Sequence, residues 1–243
     1  METIEDAPQT TTRRERRIIT AAFMLLSVLI AAFSIAQYRK IIGDTKTLLD
    51  SVSKEKVEQI QQWRQRHLVE AEETARSGET IALVEAVAKG NNAKARRDLL
   101  ANFETFAKTY GYAASLVLRP DGGIALSSSD NVGLDKAATD VLPGATAAGE
   151  ARITDLHAMS PSLNPGCDIV IPIFENSDPG QNRMLAGYLI HYLDARTDLY
   201  PIIDSWPVPS ETAENILLKN SGGEAFILSD LRSMKNSALT LLP

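Results

Sequence analysis

The chain has 243 residues, of which 44% are hydrophobic, with one cysteine and a formal charge of −6. That length accommodates one sizeable domain or two small ones, and the apolar share suffices for a buried core, which excludes global disorder. The mild acidity argues against nucleic acid as a partner, since phosphate binding wants a basic face. Cys167 alone excludes an intrachain disulfide and a thiolate-rich metal site, and the three histidines, His67, His157 and His191, show no metal-ligand spacing.

Ile18 to Ala36 is a run of nineteen residues without a charge. At about 1.5 Å per helical residue it matches a bilayer core of about 30 Å, so 18–37 reads as a transmembrane helix preceded by a tail at 1–17. Two rival readings are a buried helix of a soluble protein and a signal peptide cleaved near Ser34-Ile35-Ala36. The run exceeds the apolar stretch of about 7–15 residues usual for a signal peptide. Arg13, Arg14, Arg16 and Arg17 favour an inside N-terminus, but Arg39, Lys40, Lys46, Lys54 and Lys56 follow the span, so a bare count does not fix orientation.

From about Asp44 to Ser77 there is no proline, and Leu49, Val52, Val57, Ile60, Trp63, Leu68, Ala71 and Ala75 mark one apolar stripe on a long helix. Part of the stripe fits a dimer seam, while its steps of five break a strict heptad and suit packing on the chain's own domain. Helices are predicted at Glu79–Lys89 and Ala93–Tyr110, separated by Gly90-Asn91-Asn92. After Gly111 the period turns strand-like. Tyr112–Leu118 and Ile124–Ser128 flank a turn at Arg119-Pro120-Asp121-Gly122-Gly123, whose residues match turn geometry. A short helix at Asp135–Val141 follows, then strands at Ala151–His157, Asp168–Phe174 and Met184–Leu193. A helical turn through Tyr200–Ile203 and a stiff Trp206-Pro207-Val208-Pro209 segment lead to a hairpin, Asn215–Lys219 and Glu224–Leu228. The order reads as α+β, with five strands in an antiparallel sheet and no βαβ alternation. The last hairpin lacks a visible partner, a marginal state for two strands, so the chain reads as truncated.

The order of parts resembles the extracytoplasmic double Cache (PAS-like) sensor domains of bacterial histidine kinases, diguanylate cyclases and chemoreceptors. The likeness is carried by VEQIQQWRQRHLVEAEETA (57–75), VLRPDGGIALSS (117–128), ITDLH (153–157), CDIVIPIF (167–174), GYLIHYLDARTDLYPIIDSWPVPSETAENILL (187–218) and GGEAFILSDLR (222–232). It implies a membrane-distal lobe at 38–210, the beginning of a membrane-proximal lobe at 211–243, an N-terminus inside and the sensor outside a bacterial plasma membrane. The second membrane helix and an output domain are missing, and the Tyr…Arg-x-Trp-Tyr pattern of amino-acid-binding members is not evident. The resemblance also implies a ligand pocket on one side of the distal sheet, roofed by loops and short helices.

Strand alternation then suggests which side chains face together. On 151–157, Ile153, Asp155 and His157 share a face; Asp168 opens the next strand and Asp194 closes the last. A small polar or cationic ligand suits such carboxylates with a histidine alongside. Each of these aspartates equally suits a turn or helix cap, and His157 a backbone carbonyl. Tyr188 and Tyr192 share one face of the last strand as core or pocket wall, whereas His191, with Leu189 and Leu193, reads as structural. The candidate ligand residues are therefore Asp155, His157, Asp168, Tyr188, Tyr192 and Asp194. The chain has no Gly-x-Ser-x-Gly, P-loop, His-Glu-x-x-His or dinucleotide fingerprint, so no catalytic residue, metal or cofactor is expected. The expected function is ligand sensing by a transmembrane receptor, with a small molecule and the membrane as partners and a homodimer through the long helix. A membrane-tethered partner-binding module without output and a periplasmic enzyme are the alternatives.

Overall fold

A computed structural model of the chain describes residues 13–90, 92–159, 164–175, 184–207, 213–221, 223–234 and 237–241. Most of the expected tail, Val208 and Pro209 of the stiff segment, Gly222 of the last hairpin turn and the final two residues lie outside them. The chain divides into two compact units, Met1–Lys54 and Glu55–Pro243. Helix α1 (Arg13–Arg76) belongs to both and is the one helix among the described residues long and apolar enough to cross a membrane. Its apolar side chains from Ile18 to Ile35 are exposed.

In the second unit each helix begins and ends where the chemistry of its termini dictates. Ser77 caps α2 (Gly78–Ala88) by accepting from the Thr80 amide, and Asn92 caps α3 (Ala93–Tyr110) by accepting from Ala95. Gly111 ends α3 at φ 76°, a left-handed conformation that costs glycine nothing. Strands β1 (Ala114–Leu118) and β2 (Ile124–Ser127) form the first hairpin. Helix α4 (Lys136–Ala148) is longer than expected, with Asp135 as its N-cap and Gly149 as its left-handed end. Then come β3 (Arg152–Ile153), β4 (His157–Ala158), β5 (Pro165–Phe174), β6 (Leu185–Asp194) and the short α5 (Tyr200–Asp204).

The architecture is α+β. The sheet runs β2-β1-β6-β5-β3, with β4 also paired to β5, and its pairings are antiparallel. Central β5 and β6 are buried along almost their whole length because helices cover both faces. One face packs Ile169, Ile171, Ile173, Leu189 and Leu193 against Trp63 and Ala71 of α1 and against α2 and α3. The other packs Leu116, Leu118, Val170 and Ile190 against Ala138, Leu142 and Ala145 of α4.

Two expectations are corrected. The third strand is not continuous but breaks into β3 and β4, and the register steps by one residue across the break. Arg152 and Ile153 oppose Val170 and Ile169, while His157 and Ala158 oppose Gly166 and Pro165. An extra residue therefore lies on this edge, the arrangement of a β-bulge, and it turns the following side chains to the other face. The second hairpin also has a partner: β7 (Leu218–Ser221), β8 (Glu224–Ile227) and β9 (Thr240–Leu241) make a three-stranded sheet.

On the α1 side several buried polar groups are paired within the fold, although His67 Nδ1, Glu70 Oε2 and His191 Nε2 have no hydrogen-bond partner among the described residues. Asp198 Oδ2 accepts from Trp63 Nε1 at 2.6 Å and lies 2.7 Å from His67 Nε2, and it is held below the usual carboxylate range because these contacts outweigh its burial. His191 is fully buried, 2.8 Å from Ser115 Oγ and stacked on Tyr112 at 4.2 Å. Burial pushes its pKa down to about 3, so the folded state holds it neutral. Since the unfolded histidine titrates near 6.5, this contribution to stability is complete above that pH and is lost as pH falls from there toward about 3. The expected slope is about 1.4 kcal/mol per pH unit. Asp168, held up at about 6, contributes a slope of opposite sign to both proteins, so between pH 6.5 and 4 the melting temperature of wild type should fall by more, or rise by less, than that of His191→Phe; equal slopes would show that His191 protonates freely in the fold.

Candidate functional site

The α4 face of the sheet carries a different kind of polar group. Asp168 lies in the middle of the β5–β6 ladder opposite Tyr192, and it is 0% exposed. Its backbone is well served: the amide donates to Thr154 Oγ1 and the carbonyl accepts from the Thr154 amide, both at 2.9 Å. The carboxylate is not. Neither Oδ1 nor Oδ2 has a hydrogen-bond donor among the described residues, and the nearest cation is His157 Nε2 at 3.3 Å from Oδ2. Burial pushes Asp168 up to about 6, against the pull of the His157 imidazolium.

His157 reaches this place through the register step, which puts it on the Asp168 face of the edge strand. Its Nδ1 lies 2.9 Å from the Asp155 carbonyl, which can only accept, so Nδ1 carries a proton. Nε2 points at Asp135 Oδ2, 2.7 Å away, and at Asp168. Burial opposes its charge, but the two carboxylates and the carbonyl outweigh it and push the imidazole up to about 10. Asp135 is drawn below the usual carboxylate range despite its burial, by His157 and by the Ala138 amide it caps. Two carboxylates thus share one imidazolium, and with all three ionised the cluster keeps one surplus negative charge.

Tyr192 lies beside the cluster, opposite Asp168, and both tyrosines dock α4. Tyr192 Oη donates to the Gly133 carbonyl at 2.6 Å, fixing the loop that presents Asp135, and Tyr188 Oη lies 2.7 Å from Thr146 Oγ1 farther along the helix. Both are buried on the α4 face, as strand alternation predicts. Of the candidate residues, the fold therefore gathers His157, Asp168, Tyr188 and Tyr192 on one face. Asp155 does not join them. Its carboxylate is 81% exposed and pairs with Lys219 Nζ at 2.6 Å, because the break between β3 and β4 removes it from the face of His157. Asp194 lies on the Asp168 face at the strand end, where Oδ1 accepts from the Arg196 amide in a local turn. Sequence reasoning missed Asp135 as a cluster member. The sequence places it only at the start of a short helix, and no local pattern ties a helix start to a strand thirty-three residues on.

A cavity of about 520 Å³ lies elsewhere, lined by residues that include Glu72, Arg76, Glu150, Pro172 and Phe174. A second of about 300 Å³ is bounded by Trp63, Leu156, Cys167 and Leu217 among others. Neither holds a buried carboxylate without a donor, so the Asp168 cluster is the stronger candidate.

No family model matches the sequence, and no curated protein matches it significantly. Among solved structures, the fold is similar to the sensor domain of the Vibrio cholerae histidine kinase DctB, at 18% identity over 72% of this chain and 62% of that one, with a TM-score of 0.50. The likeness is one of fold. The chain thus spans less than two thirds of the DctB domain's length. Looser matches include the ligand-binding domain of the Pseudomonas aeruginosa chemoreceptor PctB in complex with L-Gln, at 18% identity, 72% of this chain, 71% of that chain and a TM-score of 0.41. The Campylobacter jejuni chemoreceptor Tlp3 in complex with L-valine matches at 11% identity, 74% of this chain, 88% of that chain and a TM-score of 0.39.

A fully buried carboxylate that shares its one imidazolium with a second carboxylate destabilises a ligand-free domain. Asp168→Asn, which keeps the shape and drops the charge, should raise the unfolding free energy at pH 7.5 by about 1–3 kcal/mol. Asp135→Ala removes both a helix cap and the imidazolium's closest partner and should lower it by about 1–3 kcal/mol. Urea denaturation of the two variants beside wild type reads the opposite signs.

Proposed function

We propose that residues 38–210 are the membrane-distal lobe of a transmembrane receptor and sense a small, positively charged solute on the α4 face of the sheet. In this reading Asp168 supplies the principal charge, His157 and Asp135 the neighbouring polar groups, and Tyr188 and Tyr192 the wall, with Asp194 at the strand-end rim. Residues 211–243 begin a membrane-proximal lobe. The Cache-type fold supports a sensing role and gives no reason to assign a reaction. The observation that carries the choice of site is the buried Asp168 carboxylate without a donor. The one imidazolium that Asp168 shares with Asp135 offsets its burial only in part, and a cationic ligand is the group that would complete the balance.

The same proposal places helix 18–37 in a bacterial plasma membrane, with the N-terminus cytoplasmic and the sensor outside. The exposed apolar side chains of that stretch and its lack of charged residues support a lipid environment. Because α1 carries both this stretch and Trp63 and Ala71 of the sensor core, a shift of the sheet has a direct route toward the membrane. Val57 and Val69, exposed on α1, leave apolar surface for a second copy in a homodimer.

Two measurements test this reading. A panel of small cationic and zwitterionic solutes should contain members that raise the melting temperature of the wild-type chain and leave Asp168→Asn unmoved. A panel that shifts both proteins equally removes the site. For orientation, Cys167 is buried and its thiol is pushed up to about 12, so background labelling is low. Lys94→Cys, at an exposed position on α3, should react with a membrane-impermeant maleimide in intact cells, and protection from the reagent would put the domain inside.

A further inference from the structure

We infer that the cation held by Asp135, His157 and Asp168 is a divalent transition metal of the zinc type, a conclusion that rests on the small-cation reading of this site. One ligand atom from each residue lies within 4.8 Å of the others, and the three come from separate elements: the N-cap of α4, β4 and β5.

The orientation of the histidine is the first argument. Nδ1 donates to the Asp155 carbonyl, which fixes the ring and directs the Nε2 lone pair toward both carboxylates. A histidine that binds metal through one nitrogen is commonly held in this way by its other N–H on a backbone carbonyl, which sets both tautomer and direction. In the metal-bound state the ion replaces the Nε2 proton.

Charge is the second argument. Two carboxylates face one imidazole nitrogen, at 2.7 and 3.3 Å, in a site that includes the fully buried Asp168. A divalent ion with a neutral imidazole cancels both carboxylates, and it gives the donorless Asp168 oxygens a partner.

Geometry and donor type narrow the ion. Bonds of about 2.0–2.2 Å at tetrahedral angles separate ligand atoms by roughly 3.4 Å. The 3.3 Å between His157 Nε2 and Asp168 Oδ2 already has that spacing, while the 2.7 Å to Asp135 must open, as it does once the proton between them leaves. One nitrogen and two carboxylate oxygens suit zinc, manganese, iron or nickel better than calcium or magnesium, which prefer oxygen alone. Cys167 belongs to the core of the opposite face, so no thiolate biases the site toward softer ions. Three protein ligands leave a coordination position for water or for a solute donor, which makes the site suited to reversible occupancy.

The test uses the full chain in detergent, stripped with a chelator and then titrated calorimetrically with Zn²⁺, Mn²⁺ or Ni²⁺. One ion per chain should bind and raise the melting temperature. Asp168→Asn and His157→Gln should each weaken binding at least tenfold, while Asp98→Asn, on α3 away from the triad, should bind as wild type does. Co²⁺ loaded into the wild-type site should show a visible absorption band that both triad variants lose, and circular dichroism verifies that those variants are folded. Metal binding unchanged in Asp168→Asn overturns the assignment. So does the absence of metal binding while organic cations stabilise wild type but not Asp168→Asn, an outcome that leaves the small-cation reading standing. If neither metals nor organic cations bind in a manner dependent on Asp168, both readings fall.

Discussion

A carboxylate at the centre of a sheet, covered on both sides, sets the terms for much of the structure around it. Asp168 sits where β5 and β6 are otherwise lined by Val, Ile, Leu and Tyr, and its neighbours along the same face are Val170 and Tyr192. Taking that charge out of water is expensive, and an interior apolar residue would be cheaper for folding alone. The surrounding features are arranged toward it. A register step turns His157 inward, the N-cap of α4 brings Asp135, and Tyr192 ties down the loop before that helix.

The two faces of the sheet use similar residue types to opposite ends. On the α1 side, Asp198 is met by Trp63 and His67, and this knits the long helix to the chain after β6. Such a network stabilises because its acceptor atom has its donors. On the α4 side two carboxylates compete for one imidazole, so an unmet charge is left over. Incomplete satisfaction of this kind is rare in a relaxed core and characteristic of places that receive a ligand. The contrast is one of charge balance, since Asp198 Oδ2 has two partners of its own whereas Asp168 shares one imidazole with Asp135.

Much of the fold was legible because local chemistry and global packing agree. The bounds of α3 follow from Asn92 and Gly111, which supply the cap and the left-handed exit that a helix needs. Alternation along β6 separates Tyr188 and Tyr192 from His191 correctly, because a central strand with helices on both faces must commit each side chain to one layer. The edge strand was misread for the complementary reason. Paired to β5 alone, the 152–158 segment can absorb an extra residue without disturbing any other strand, and no composition signal marks the insertion. The β9 partner of the last hairpin was equally invisible, since Thr240-Leu241 is too short to show a period.

By itself the sequence determined an uncharged helical run at the N-terminus, an amphipathic helix behind it, and an α+β domain whose strand order resembles Cache sensors. These follow from periodicity and terminal capping, which act over a few residues. Tertiary structure alone decided which polar residues meet. Asp155 and His157, neighbours in sequence, part company at a one-residue register step, whereas Asp135 and Asp168 converge on one imidazole across a helix cap and a strand. Facing in a sheet depends on the parity of the pairing, and parity belongs to the partner strand as much as to the residue itself.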